Sequence, residues 1–170
     1  IALAKTAHQK NINTHMTSAA GRLFDAAAAL ILGRNIASFE GQGPMELEQI
    51  AGSSFEATSL PLAADPEGIL RSDWAPLLSH LADDSISQAE RAGMFHASMA
   101  KVVVDQAVEI GKTRAFQAVG LSGGVFQNRL LTERVMAGLQ ERGIEVRLHQ
   151  DIPANDGGLA FGQIIEAMSL

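Results

Sequence analysis

Two stretches of the chain place paired glycines where a strand-like pattern gives way to a helix-like one. In LSGGVFQNRLL (121–131) an apolar run feeds into Gly123 and Gly124, and Asn128 follows one helical turn later. In PANDGGLAFGQ (153–163) Pro153 restricts the approach, Asn155 and Asp156 stand just before a helix, and Gly157 and Gly158 clear the space beside them. In open α/β sheets, ligands collect beyond the carboxyl ends of strands, where helix N-termini present free N–H groups. Asn128 would offer such a ligand both a donor and an acceptor. On spacing alone two readings of the first stretch stand. Either a ligand lies over the glycines, or they serve tight strand–helix packing and Asn128 is a solvated helix residue. Asp156 is either an N-cap, the commoner job for an aspartate there, or a carboxylate aimed at a metal or a phosphate-bound cation. Both junctions should open on the same side of one sheet, which counts against a purely structural reading of the second. Neither stretch is GxGxxG or GxxxxGK[ST], and without a P-loop lysine the standard ATPase reading falls.

A third candidate is GRLFD (21–25), which puts Gly21 and Asp25 four apart and hence on one helix face. A glycine inside a helix costs about 1 kcal/mol relative to alanine, so it needs a reason. Close helix packing is one; backbone laid bare for a ribose, with Asp25 accepting from its hydroxyls, is the other. Flanked by Phe24 and AAAALIL, this lone acid also needs a partner. FEGQGPMELE (39–48) reads as a surface loop entering a capped helix rather than as catalytic work for Glu46 and Glu48, with Glu40 left open. The histidines at 8, 15, 80, 96 and 149 are never four apart, so there is no HExxH and no HxxxH. His96, beside Met94, Phe95 and Met99, reads as a core histidine. No Ser–His–Asp order stands out, and there is no GxSxG elbow.

The whole composition narrows the choice further. A length of 170 residues suits one domain or two small lobes, and 46% apolar content is that of a soluble globular protein. The net charge of −6 argues against a nucleic-acid backbone or an anionic membrane as main partner. Nucleotide binding stays open, since backbone amides and a metal hold phosphates without many lysines. The absence of cysteine excludes disulfides and thiolate metal sites, fits a cytoplasmic protein, and means that any thiol chemistry uses a thiol from elsewhere. AAAALIL is far too short to span a bilayer, and nothing resembles a signal peptide.

The elements that would position these residues follow from periodicity. The chain opens on Ile1 inside a helix-like pattern over 1–10, and reads as a one-domain piece, 1–170, of a longer polypeptide. A helix over 17–33 has Thr17 or Ser18 as N-cap and Gly33 as its C-terminal glycine. A turn at 41–44, a short helix over 44–52, a loop or edge strand over 55–72 and a helical piece over 73–84 lead to a long helix over 85–112. Then the pattern changes: strand 115–123, helix 125–143, strand 144–149, a loop, and a closing helix over 159–170. A strand–helix–strand unit predicts a parallel pair with a right-handed crossover, hence an α/β fold whose helix-rich first part packs on a small α/β second part.

TSAAGRLFDAAAALILG, FEGQGPMELE, LSGGVFQNRLL and IPANDGGLAFGQ, in that order, resemble the C-terminal part of the HypF family of hydrogenase maturation carbamoyltransferases. The resemblance covers nearly the whole chain, and LSGGVFQNR together with EGQGPMELE carries most of its specificity. It implies the second lobe of a two-lobed fold like that of actin, sugar kinases and Hsp70, shared with the threonylcarbamoyl-transferring tRNA-modification enzymes. Nucleotide and metal would lie between the lobes. It also implies that Gly21 and Asp25 contact the adenosine ribose, that Gly123, Gly124 and Asn128 form a nucleotide turn, and that Asp156 binds a divalent metal (magnesium, iron or zinc). The family's metal site further uses an HxxxH pair of the first lobe, absent from this sequence. The chain is therefore expected to lack that lobe and the upstream domains, and to be inactive alone. For the whole enzyme, the resemblance implies an ATP-dependent route. Carbamoyl phosphate yields carbamoyl-adenylate, whose carbamoyl group passes to the C-terminal cysteine thiol of HypE for the nickel–iron hydrogenase. No side chain here looks like the nucleophile. The alternatives are a non-catalytic interaction module and the ATPase lobe of a related phosphotransferase.

Overall fold

A computed structural model describes residues 2–15, 17–52 and 56–169; Ile1, Phe55 and Leu170, at the edges of three expected segments, lie outside the described residues. Helices α1 (Ala2–Gln9), α2 (Ala20–Leu32), α3 (Gln42–Ile50), α4 (Ala75–Leu81) and α5 (Gln88–Gly111) make up the first part, with a hairpin of β1 (Leu62–Ala64) and β2 (Leu70–Ser72) between α3 and α4. The second part runs β3 (Ala118–Leu121), a 3₁₀ turn (Gly124–Gln127), α6 (Arg129–Gln140), β4 (Glu145–Leu148), a short 3₁₀ turn (Asp156–Gly158) and α7 (Leu159–Met168). As expected, β3 and β4 pair in parallel across α6, with Val119 opposite Val146 and Leu121 opposite Leu148.

Helix α5 is the axle. A reciprocal capping box starts it. Ser87 Oγ accepts from the Glu90 N–H at 3.2 Å, and Glu90 Oε2 accepts from the Ser87 N–H at 3.2 Å. That box places the first helical residue at Gln88, slightly later than periodicity alone implies. Ala92, Phe95, Met99, Ala100, Val104 and Ala107 are buried along it, against Phe24, Ile31, Leu47, Leu77, Leu131, Val135 and Leu139 of the surrounding helices. Two glycines let helices approach closely. A Cβ on Gly43 would stand 2.7 Å from the Ala28 Cβ, and one on Gly138 would stand 2.9 Å from the Val104 Cγ2. Ser98, buried on α5, donates to the Met94 carbonyl at 2.7 Å and accepts from the Thr58 N–H at 2.9 Å, which pins the loop after α3.

Three local expectations need correcting. Helix α2 starts at Ala20, not 17; Thr17 Oγ1 accepts from the Ala19 N–H in a short turn, and neither Thr17 nor Ser18 caps the helix. Gly33 does close it, in the left-handed conformation at φ 66°, the usual glycine ending of a helix. The 55–72 stretch contains a true hairpin, because Asp65 Oδ1 accepts from the N–H groups of both Glu67 and Ile69 at 2.9 Å. Gly68 turns the chain there at φ 80°, and both residue types suit a turn for these reasons. The helix expected from 125 is a 3₁₀ turn followed by α6 from Arg129.

Helix α7 leaves Leu159, Phe161, Ile164, Ile165 and Met168 largely exposed. Among the described residues no helix is long and apolar enough to cross a membrane.

The close approach at Gly43 gives a stability test. Gly43→Ala should destabilise the protein by about 1 to 3 kcal/mol through overpacking, and Ala28→Gly in the same chain should recover most of that loss. Urea denaturation of the two single variants and the double variant measures the coupling.

Candidate functional site

At the carboxyl end of β3 the chain must leave the sheet within a few residues. Gly123 does this at φ 103°, ψ 153°, a conformation that a side chain disfavours. Its N–H donates to the Ala154 carbonyl at 2.7 Å, so the first glycine junction is tied directly to the second. A Cβ on Gly124 would stop 3.9 Å from the Asn155 Cβ, while the space over Gly123 is open. The two junctions do open on one side of the parallel pair. Tight packing does not explain Gly123; its backbone angle does. Ser122 Oγ and His149 Nε2, 3.0 Å apart, bridge the ends of β3 and β4 as well, an arrangement with no signal in the local sequence. A cavity of about 310 Å³ opens beside this bridge, lined by Leu121, Phe126, His149, Asp151 and Pro153 among others.

Asn128 is neither a solvated helix residue nor a free hand. It is 8% exposed and caps α6, its Oδ1 accepting from the Leu131 N–H at 2.8 Å. Its Nδ2 donates to His96 Nε2 at 3.0 Å, and His96 Nδ1 in turn lies 2.8 Å from the Ala92 carbonyl. A carbonyl can only accept, so Nδ1 carries the ring proton and Nε2 is the acceptor. Burial, the largest influence, holds the imidazole below its ordinary pKa; the Ala92 carbonyl and the charge of Glu48 pull the other way. The sign is that expected when a cation is taken out of water. Phe24, from the GRLFD stretch, packs edge-on to the ring with centroids 5.4 Å apart. Two of the four hydrogen-bonding positions of the Asn128 amide are thus taken, leaving one N–H and one lone pair.

The acidic stretch supplies a second clamp on α6. Glu48 Oε1 accepts from the N–H of Arg129 at 2.7 Å and of Leu130 at 3.1 Å. Asn128 serves the Leu131 N–H by its side chain, and its own N–H donates to the Val125 carbonyl at 3.2 Å. All four N-terminal donors of α6, which a helix cannot satisfy by itself, therefore have partners. Glu46 instead takes Arg34 in a bidentate pair at 2.7 Å to both nitrogens and accepts from Gln42 Nε2 at 3.0 Å. Such forked pairing fixes orientation as well as charge. The structural reading of Glu46 and Glu48 therefore holds.

Gly21 sits in the first turn of α2, with nothing within 4 Å of a Cβ built there, so close packing is not its reason. Asp25 finds its partner in Arg22, Oδ2 to Nη1 at 3.0 Å, and stays part-exposed; Glu40 lies 3.9 Å from the same guanidinium. At the second junction Asn155, not Asp156, is the cap, its Oδ1 accepting from the Gly157 N–H at 3.0 Å. The N-cap reading of Asp156 is thereby corrected. Asp156 is exposed, and its carboxylate has no hydrogen-bond or ion-pair partner among the described residues. Gly158 is needed by the turn itself, since a Cβ there would stand 2.7 Å from the Pro153 carbonyl oxygen. No group of three or more His, Asp or Glu side chains placed to hold a metal ion occurs among the described residues.

Comparison with known proteins places this arrangement. A family model described as "Carbamoyltransferase, Kae1-like Domain, second subdomain" matches residues 2–163. The chain is 37% identical over 151 residues to a carbamoyltransferase HypF of Rhizobium leguminosarum bv. viciae, covering 88% of this chain and 19% of that protein. It is 36% identical over 173 residues to the Rhodobacter capsulatus carbamoyltransferase HypF, covering 97% and 21%. A crystal structure of full-length HypF in the phosphate- and nucleotide-bound form superposes with a TM-score of 0.88 at 34% identity, covering 95% of this chain and 22% of that one. The T. kodakarensis HypF structure gives 0.75 at 28% identity, covering 93% and 21%. The chain spans about one fifth of the length of these relatives.

The buried imidazole gives a pH test. Its folded-state pKa lies below the ordinary value of 6.5. Neutral His96 therefore contributes stability that is fully present above that pH, and lost as pH falls below it until the folded pKa is passed. Denaturation midpoints should decline as pH falls below 6.5, the direction a depressed folded-state pKa sets, and His96→Gln should flatten that part of the profile.

Proposed function

The chain belongs to the HypF carbamoyltransferase family, as the second subdomain of its Kae1-like domain, and from that membership we propose that it forms the nucleotide-holding lobe of a two-lobed, actin-like carbamoyltransferase module. The single observation that carries the reading is the open turn at Gly123, whose backbone only glycine adopts readily and where no atom of the described residues comes within 4 Å of a Cβ built there.

In this reading ATP or carbamoyl-adenylate lies with its adenosine against the turn of Gly123 and Gly124. Gly21 exposes backbone at the start of α2, and Asp25 accepts from the ribose hydroxyls, giving up part of its pairing with Arg22. Asn128 adds its one remaining N–H and lone pair. The residues present do not by themselves fit a metal, because Asp156 is a lone free carboxylate with no second donor set around it among the described residues. We assign Asp156 one ligand position on a divalent cation whose other ligands come from outside this chain. The acceptor is the C-terminal cysteine thiol of HypE, consistent with a chain that has no cysteine. The thiol sulfur attacks the carbamoyl carbon, a C–S bond forms, the C–O bond to the adenylate phosphate breaks, and the thiol proton leaves as AMP departs. What this lobe contributes is placement: holding the nucleotide rigidly keeps the reacting carbon where the thiol can reach it. Such a reaction belongs in the cytoplasm, with ATP and carbamoyl phosphate as the small-molecule substrates and no part for nucleic acid or membrane.

The internal engagement of Asn128 favours a second reading, a docking module without nucleotide affinity. AMP titration of the full-length protein beside its Gly123→Val variant separates the two, since in a docking module the substitution leaves AMP affinity unchanged.

In the full-length enzyme, Asp25→Ala should slow HypE carbamoylation at limiting ATP by about tenfold or more, the scale of a lost hydrogen bond to a charged group. Asn128→Ala should do the same, with a parallel fall in thermal stability as α6 loses its cap. Unchanged carbamoylation in both removes these assignments. Asp156→Ala should lower bound metal per chain by elemental analysis, and an unchanged stoichiometry removes Asp156 from the site.

A further inference from the structure

We propose that Glu48 is a positioning residue for the nucleotide turn: through the start of α6 it holds the 3₁₀ turn Gly124–Gln127 in the shape that receives the ligand. The proposal rests on the nucleotide reading above. Glu48 stands 81 residues before the first donor it serves, and one oxygen takes the N–H groups of both Arg129 and Leu130. The first turn of a helix has unpaired donors and a favourable potential for negative charge, and commonly recruits an anion. Here the chain supplies that anion itself.

Helix α3 gives Glu48 little freedom to do otherwise. Leu47 is fully buried beside it, Gly43 is pressed against Ala28, and Glu46 is fixed on Arg34. The carboxylate is therefore delivered from a packed helix, not from a loop. Asn128, immediately before the two donors, is held from the other side by buried His96. These two anchors hold the start of α6, and the Gly123 N–H on the Ala154 carbonyl holds the other end, so the segment from Gly123 to Leu131 is set before any ligand arrives and binding does not have to order it. It also leaves the phosphates no free amide in the first turn of α6, which directs the nucleoside part of the ligand to the glycines.

Glu48→Gln keeps a side-chain oxygen that can accept from both amides, whereas Glu48→Ala leaves them without it. In the full-length enzyme, Glu48→Ala should weaken AMP binding by calorimetry about fivefold, the scale of a lost cap. The KM for ATP in HypE carbamoylation should rise in step, while kcat stays within about twofold. Glu48→Gln should restore AMP affinity to within about twofold of wild type. A merely structural role predicts a lower melting temperature with AMP affinity and KM unchanged, and that result overturns the proposal. So does a Glu48→Gln variant as impaired in AMP binding as Glu48→Ala. If Glu48→Ala does not fold, Arg129→Pro takes its place. Proline is tolerated at the first helical position, and the extended backbone of Asn128, at φ −68° and ψ 109°, suits a following proline. The 2.7 Å bond from the residue 129 N–H to Glu48 is then lost. Unchanged AMP affinity there counts equally against the proposal. A wild-type enzyme that binds no AMP overturns the nucleotide reading itself and this inference with it, whereas wild-type binding that Asp25→Ala weakens and Glu48→Ala does not overturns this inference alone.

Discussion

The hydrogen bond from the Asn128 amide to the buried ring of His96 is the joint on which the rest of the site depends. The Ala92 carbonyl of α5 sets the tautomer of the ring, and Phe24 of α2 packs against it. Asn128 passes that fixed position to α6 through the Leu131 N–H. Glu48 of α3 closes the same helix end from the opposite direction. The stretches GRLFD, PMELE and SGGVFQN lie far apart in sequence, yet a single imidazole and one helix terminus hold all three in register. Low dielectric sharpens the arrangement: a buried polar group that loses its partner costs more than the hydrogen bond gained by forming it, so the network has few acceptable alternatives.

The glycines divide by physical role. Gly43 and Gly138 permit helix contact at distances that a methyl group would forbid, and they belong to the core. Gly123 is required by its backbone angle, and Gly158 by the turn that wraps back on Pro153. Gly21 meets neither condition, because no atom of the described residues comes within 4 Å of a Cβ built there and its helix is regular. A ligand lying against the start of α2, as proposed above, would account for it. The exposed apolar side of α7 is the same kind of observation on a larger scale.

Much of this is readable in the residue pattern. The parallel pair, the sidedness of the two glycine junctions, the buried α5 and the core position of His96 all follow from periodicity and glycine placement. The departures share a cause. Thr17 and Ser18 have the right chemistry for a cap but lie too early, and Asn155 and Asp156 are equally good caps that only geometry separates. Glu48 on α6, Ser122 on His149 and Ser98 on Thr58 join residues 81, 27 and 40 positions apart, and local pattern carries no information on such pairs. The hairpin over 62–72 shows in the pattern only as a loop or edge strand, because its three-residue strands are too short to show alternation and its turn is set by one aspartate oxygen.

The bond between Gly123 and Ala154 has a mechanical meaning. The loop that carries Asp156 and the turn proposed to face the adenosine are one lever, pinned at a main-chain contact that does not depend on the side chain of either residue. A displacement felt at either loop is transmitted to the other without crossing the hydrophobic core. On the proposed reading, with a nucleotide at one loop and a cation at the other, the two occupancies would be linked in both directions.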